Sequence, residues 1–287
     1  MRLNAKTAIS TSKVLLVPYS SWHVPRYHEW MKDEVDTHPI PNPIDKMIDA
    51  MLNVLQEIQA ATASEPLTLE EEYAMQRNWR QDADKLTFII CLPVPRARSE
   101  HQSQHQTESQ EQLPGSGLRL QDGDDAPGQM LGDINLFLRV EDDDEDEDGP
   151  SCPQIIGEIE LMIAEKANQR KGYGRAALLA FLRYVLEHEE DIVGEFVQGT
   201  GAGAGATLQG RTDWRFGALS VKIGKDNGRS LALFESVGFC KVSEEPSYFG
   251  EFELRRVRSE LSLESVDEAM ANAGVEGYTE VLYERTE

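Results

Sequence analysis

Ile155–Ala177 reads IIGEIELMIAEKANQRKGYGRAA, and the way its first half gives onto its second decides the fold. Ile155–Ile163 is strand-like, and Glu158, Ile159, Glu160 and Leu161 alternate in polarity, as on a half-exposed strand of an antiparallel or mixed sheet. Ala164–Lys171 form a short connection. Gly172–Glu187 then follows the period of an amphipathic helix, with Leu178, Leu182, Val185 and Leu186 on one face. At the junction, Gln169-Arg170-Lys171-Gly172-Tyr173-Gly174 has the makings of an anion trap. Its glycines let the main chain approach a phosphate without Cβ interference, and the N–H groups of the loop point outward. The helix start adds a partial positive charge worth ~0.3–1 kcal/mol at exposed sites. Arg170, Lys171 and Arg175 set three cations beside this trap in an otherwise acidic chain. Gly172–Ala177 also fits Gly-x-Gly-x-x-Ala, a dinucleotide fingerprint, but such a turn leaves a buried parallel strand almost directly. The intervening Ala164–Lys171 and the alternating strand exclude that reading, and with it a nucleotide-dependent oxidoreductase.

Working outward, Asn227-Gly228-Arg229-Ser230 opens a second helix, Asn227–Val237, after a strand at Arg215–Ile223. Leu231, Phe234 and Val237 lie at core spacing. On physics alone, Asn227 and Ser230, three apart at the helix start, are better placed to cap it than to touch a ligand. Further strands are expected at Lys13–Pro18, Leu86–Leu92, Met130–Val140 and Tyr248–Val257. A helix after Ser21 presents Val24, Tyr27, Trp30 and Met31 as core, and Thr68 with Glu71 forms a capping box for another. Between these, 93–128 is rich in Gln, Ser, His, Pro and Gly and almost empty of large apolar residues, which predicts a disordered insertion. The stretch 141–150 reads as an acidic solvated loop, 199–206 as a flexible Gly/Ala linker, and 258–287 as an acidic C-terminal tail.

Of 287 residues, 28 are basic and 51 acidic, for a formal charge of −23. Even outside the run Glu141–Asp148 the balance stays negative, which argues against nucleic acid and against anionic membrane as partners. Cys91, Cys152 and Cys240 are widely spaced and form neither a disulfide framework nor a zinc motif, so no metal is expected. No stretch approaches the length of a membrane span and no secretory leader is visible, so a reducing compartment, cytoplasmic or nuclear, is expected.

Gln169-x-x-Gly172-x-Gly174 after a strand resembles motif A of the GNAT acyltransferases. Asn227-x-x-Ser230-x-x-Leu233-Phe234-Glu235-x-x-Gly238-Phe239 resembles the cofactor-side helix and strand that follow it in that family. Both occur in family order. Ala63–Tyr73 (ASEPLTLEEEY), Met162–Glu165 (MIAE) and Val221–Gly224 (VKIG) are similar to the N-acetyltransferase 9-like subfamily. The resemblance spans 13–257, apart from the insertion, the acidic loop and the linker. It implies an α+β fold with a mixed, mostly antiparallel central sheet flanked by helices. It implies acetyl-CoA as co-substrate: main-chain groups of Met162 and Ile163 pairing with the pantetheine arm, the amides of Gln169, Arg170, Lys171, Gly172, Tyr173 and Gly174 with Arg175 holding the pyrophosphate, and Asn227 and Ser230 meeting the amide-and-thiol end. The acceptor it implies is the amine of a protein or peptide, at an N-terminus or lysine. The subfamily's link to microtubules adds tubulin as a partner.

Direct attack of an amine on a thioester needs a base, and Glu158 and Glu160 share one side of the strand that leads to the site. Phe234 stands where many of the family have tyrosine, so a general acid is missing there and Ser230 or a water is the expected substitute donor. The alternative is a weakly active or non-catalytic GNAT-fold scaffold protein.

Overall fold

The computed structural model describes residues 1–36, 67–95, 118–141, 154–199 and 215–285. The 96–117 part of the expected insertion, 142–150 of the acidic loop and 200–206 of the linker lie outside the described residues. The chain divides into two compact units, 1–19 with 79–287, and 20–78.

In the larger unit nine strands form one sheet: β1 (Thr7–Ser10), β2 (Leu15–Pro18), β3 (Lys85–Cys91), β4 (Met130–Glu141), β5 (Gln154–Ile163), β6 (Phe216–Gly224), β7 (Cys240–Lys241), β8 (Glu251–Val257) and β9 (Thr279–Leu282). Their order is β7-β8-β6-β5-β4-β3-β2-β1-β9. Every neighbouring pair is antiparallel except β5 and β6. That parallel pair is short. It runs from Ile155 opposite Phe216 to Glu158 opposite Ser220, after which β5 continues against β4 alone and β6 against β8 alone. The sheet therefore forks at its centre, beyond Glu158 and Ser220.

Helix α3 (Tyr173–Glu187) covers one face of the sheet, and α4 (Glu189–Gly199) follows it. Phe88 of β3 stands edge-on to Phe181 and Tyr184 of α3, with ring centroids 6.1 and 5.2 Å apart. The sequence marks one apolar face on α3, but ten of its residues between Ala176 and Leu186 are buried. The reason is α6 (Leu263–Asn272), whose Val266 and Met270 join the same core from the other side. A helix enclosed by sheet and helix is apolar nearly all round.

The folded unit thus exceeds the bounds read from sequence. β1 precedes residue 13, and the expected acidic tail supplies α6 and the edge strand β9, which pairs with β1 from Thr7↔Leu282 to Ser10↔Thr279. Three junctions also differ from expectation. The end of the expected insertion, 118–128, carries Asp125, which is buried and accepts from Tyr283 Oη at 2.5 Å and Arg285 Nη1 at 3.0 Å. Glu141 is the last residue of β4, gripped by the two Arg255 terminal nitrogens at 2.6 and 2.8 Å. Gly199 ends α4 instead of opening a linker. Tyr248 and Phe249 lie before β8 and are exposed.

The smaller unit contains α1 (Val24–Asp36) and most of α2 (Leu69–Gln81). The capping box forms as read. Glu71 accepts from the Thr68 N–H at 2.8 Å, and Thr68 Oγ1 accepts from the Glu71 N–H at 3.3 Å. Trp30 and Tyr27 are buried, and His28 Nδ1 lies 3.7 Å from Oε1 of the buried Glu72. Among the described residues no helix is long and apolar enough to cross a membrane, and no group of three His, Cys, Asp or Glu is placed to hold a metal.

Candidate functional site

Two helices start at the open end of the fork, one after each diverging strand. β5 leads through a turn into α3, and β6 leads into α5 (Gly228–Glu235). Gly172, the N-cap of α3, has φ +87°, a left-handed conformation that an L side chain resists. Arg170 is left-handed too, at φ 63°, the one non-glycine of its kind among the described residues. Strain of that sort concentrates where a loop is shaped for a purpose. Gln169 braces the turn, its Nε2 donating to the Ile163 carbonyl at 3.1 Å, and Lys171 Nζ donates to Asn168 Oδ1 at 3.3 Å.

Glycine at the cap leaves the first-turn N–H groups of α3 without a side-chain acceptor. A Cβ built at Gly174 would sit 3.8 Å from side chains of Ile163, Leu161 and Leu233, which is ordinary contact. The fold itself therefore has room for a Cβ at 174. Uncapped amides, a helix start, Arg170 and Lys171 together fit a pyrophosphate. Arg175 differs from expectation in part: its Nη2 donates to Ser236 Oγ at 2.8 Å, tying the start of α3 to the end of α5.

The start of α5 is built the other way. Asn227 Oδ1 accepts the Ser230 N–H at 3.1 Å, so the cap is filled from within. Phe234 is 2% exposed and stands edge-on to Phe239 with centroids 5.2 Å apart. Its ring is committed to core packing, as its spacing with Leu231 and Val237 predicts.

The two strand-end residues divide their roles by ladder alternation. The Ala164 N–H donates to the Leu131 carbonyl at 2.9 Å, so in the continuous β4–β5 register the even-numbered residues of β5 bond to β4. Met162 main-chain groups therefore face β4, a correction to the expectation for this residue. Those of Ile163 and Leu161 face the fork, where Gln169 already meets the Ile163 carbonyl.

The sheet face away from α3 carries Glu158 and Glu160. Oε2 of Glu158 accepts from Arg139 Nη1 at 2.8 Å and from Lys222 Nζ at 2.9 Å, which makes it an ion-pair hub. Glu160 is solvent-accessible and has no such partner in the described structure. Crowding by the surrounding protein, then the carboxylates of Glu158 and Glu251, raises its pKa above the ordinary value, and Lys222 opposes them. Of the two candidate bases, Glu160 is the one with no cation bonded to it in the described structure. Sequence reasoning did not single out Lys222, Asn135 or Ser220, which share this face. The signal available was a pair of polar residues, Asp133 and Asn135, two apart in the apolar run of β4.

Residues 63–240 match the model of the acetyltransferase (GNAT) domain family. The chain is 36% identical over 261 residues to alpha/beta-tubulin-N-acetyltransferase 9 of Homo sapiens, covering 91% of this chain and 87% of that one. It is 33% identical over 278 residues to the N-acetyltransferase 9-like protein of Schizosaccharomyces pombe, covering 90% and 100%. Among solved structures, Mycobacterium smegmatis RimJ in complex with CoA-disulfide shares the fold at a TM-score of 0.50 and 13% identity, covering 94% of this chain and 96% of that one. A forked mixed sheet, an uncapped glycine turn at the fork and these matches together make the chain a member of the GNAT acetyltransferase family and an acyltransferase.

Proposed function

We propose that the protein transfers the acetyl group of acetyl-CoA to an amine of a polypeptide, with tubulin chains the first acceptors to test. The observation that carries this is the uncapped, cation-flanked start of α3 at the fork between β5 and β6. In this reading the amides of Gln169 to Gly174, with Arg170 and Lys171, hold the pyrophosphate, and Ile163 and Leu161 offer main-chain groups to the pantetheine arm. Bound acetyl-CoA supplies the thioester that an amine attacks. Glu160 removes the amine's proton, and its raised pKa suits that exchange. Glu158 holds Lys222 and Arg139 in place and is not the base. The tubulin acceptor is carried over from the names of the human and Drosophila melanogaster relatives.

Isotopic acetyl-CoA is incubated with tubulin and with peptides bearing either a free α-amine or only lysine amines, and product is read by mass spectrometry. Label on the α-amine supports the reading. Label on lysine alone would redirect the acceptor assignment, and absence of label from every acceptor overturns it.

A further inference from the structure

Across the centre of the sheet, on the face away from α3, runs a row of polar side chains. Asn135 of β4 lies between Thr87 of β3 and Glu160 of β5 in the ladder, and Ser220 of β6 lies opposite Glu158 at the base of the fork. Side chains opposite one another in a ladder share a face, their Cβ atoms ~4.5–5.5 Å apart. Asn135 is 3% exposed and Ser220 is fully buried. Yet Asn135 Oδ1, Ser220 Oγ and Thr87 Oγ1 are buried without a hydrogen-bond partner.

The orientation of the Asn135 amide follows from chemistry. Its Nδ2 donates to Asp133 Oδ2 at 2.6 Å, and only the NH2 end can face that oxygen as a donor. The carbonyl end is therefore turned away and left as an unfilled acceptor. A buried carbonyl without a donor is costly, as is a hydroxyl, and such atoms in a native core call for a ligand or an ordered water. The neighbouring charge selects what kind. Glu158 is paired with Arg139 and Lys222, whereas Glu160, directly opposite Asn135 in the ladder, has no such cation in the described structure. An acceptor atom beside that carboxylate suits a donor that is itself cationic.

We propose that Asn135 is a positioning residue for the acceptor's amine, one N–H of which bonds to Asn135 Oδ1 and so brings the nitrogen to rest beside Glu160, the ladder partner of Asn135. The inference rests on the acyl-transfer reading above and adds the part of the site that distinguishes an amine from its acetylated product. The product amide carries no charge and has at most one N–H, so it fits the row less well and leaves.

The test measures binding, in the presence of CoA, of a short synthetic peptide with a free α-amine and of the same peptide with that amine acetylated. The wild type is expected to prefer the free amine by about tenfold, the scale of hydrogen bonds to a charged group. Asn135→Leu is expected to reduce the preference to about twofold or less, with CoA affinity unchanged. Its melting temperature should fall, because Asp133 Oδ2 loses the donor that Asn135 Nδ2 supplies at 2.6 Å. Should that variant fail to fold, Asn135→Ser, which removes the carbonyl and keeps a hydroxyl able to donate toward Asp133, carries the same measurement and should lower the preference severalfold. An undiminished preference in the variant that folds, or a wild type indifferent to the acetyl group, overturns the proposal. A wild type that keeps the preference but forms no product from acetyl-CoA upholds the amine pocket and sinks the acyl-transfer reading instead.

Discussion

The starts of α3 and α5 lie after the two strands that part at the fork, and they are built in opposite ways. At α5 the Asn227 side chain fills the cap by accepting the Ser230 N–H. At α3 the cap is a left-handed glycine with no side chain, preceded by a left-handed arginine and a lysine. A capped helix start gains about 1 kcal/mol from its own side chain. An uncapped one forgoes that gain and keeps its N–H groups for a ligand. The comparison teaches that sequence resemblance marks both turns as cofactor-side, while only one of the two caps is left without a side chain.

The sharpest way to break this comparison is Gly174→Glu. A Cβ at 174 meets only ordinary contacts, so the fold should survive, with a melting temperature near the wild type's. The carboxylate would stand where the anion belongs, and CoA affinity should fall at least ~100-fold, equivalent to ~2.7 kcal/mol. Calorimetry decides it. Undiminished CoA binding by the folded variant would show that the start of α3 is not the anion site.

The second test concerns α5. Phe234→Tyr restores the hydroxyl common in the family, but the ring is buried against Phe239. A hydroxyl buried there without a partner should cost ~1–3 kcal/mol of stability, read by denaturant unfolding, with no gain in kcat. A stable variant with faster turnover would place residue 234 at the thioester after all. Asn227→Ala follows on a smaller scale. Loss of the cap should cost ~1 kcal/mol while CoA affinity stays within about threefold. A large loss of affinity would return Asn227 to the ligand.

These predictions separate what the sequence shows from what only the register shows. The glycine turn was legible because Gly172, Gly174 and three cations are local features, and the Thr68–Glu71 box because capping is local as well. The C-terminal elements were not. α6 commits only Val266 and Met270 to the core, and β9 is four residues long with one buried, so neither rises above an acidic background. The ion-pair hub at Glu158 and the polar row through Asn135 depend on which residues β4, β5 and β6 set side by side. No spacing within a single strand encodes that. The core place of Phe234 was legible from its spacing with Leu231 and Val237, because helical periodicity is a local feature too.

The smallest expected effect lies on the strands that feed the two helices, where β5 carries Glu160 and β6 carries Lys222. The folded-state pKa of Glu160 is raised, first by loss of solvent and then by Glu158 and Glu251. A carboxyl raised in this way favours its protonated form in the fold, so stability is fully present below the unfolded value, 4.5, and declines as pH rises through the folded one. Glu160→Gln holds the protonated shape at every pH. It should therefore be more stable than the wild type at neutral pH, by less than ~1 kcal/mol because the group is open to solvent. The advantage should disappear below about pH 4. In the same pH series, wild-type turnover should fall on the acid side as Glu160 takes up its proton, while the variant's residual turnover loses that limb. Equal melting curves together with an unchanged acid limb would remove Glu160 from the chemistry. The difference between the two sides of the fork would then rest on the helix starts alone.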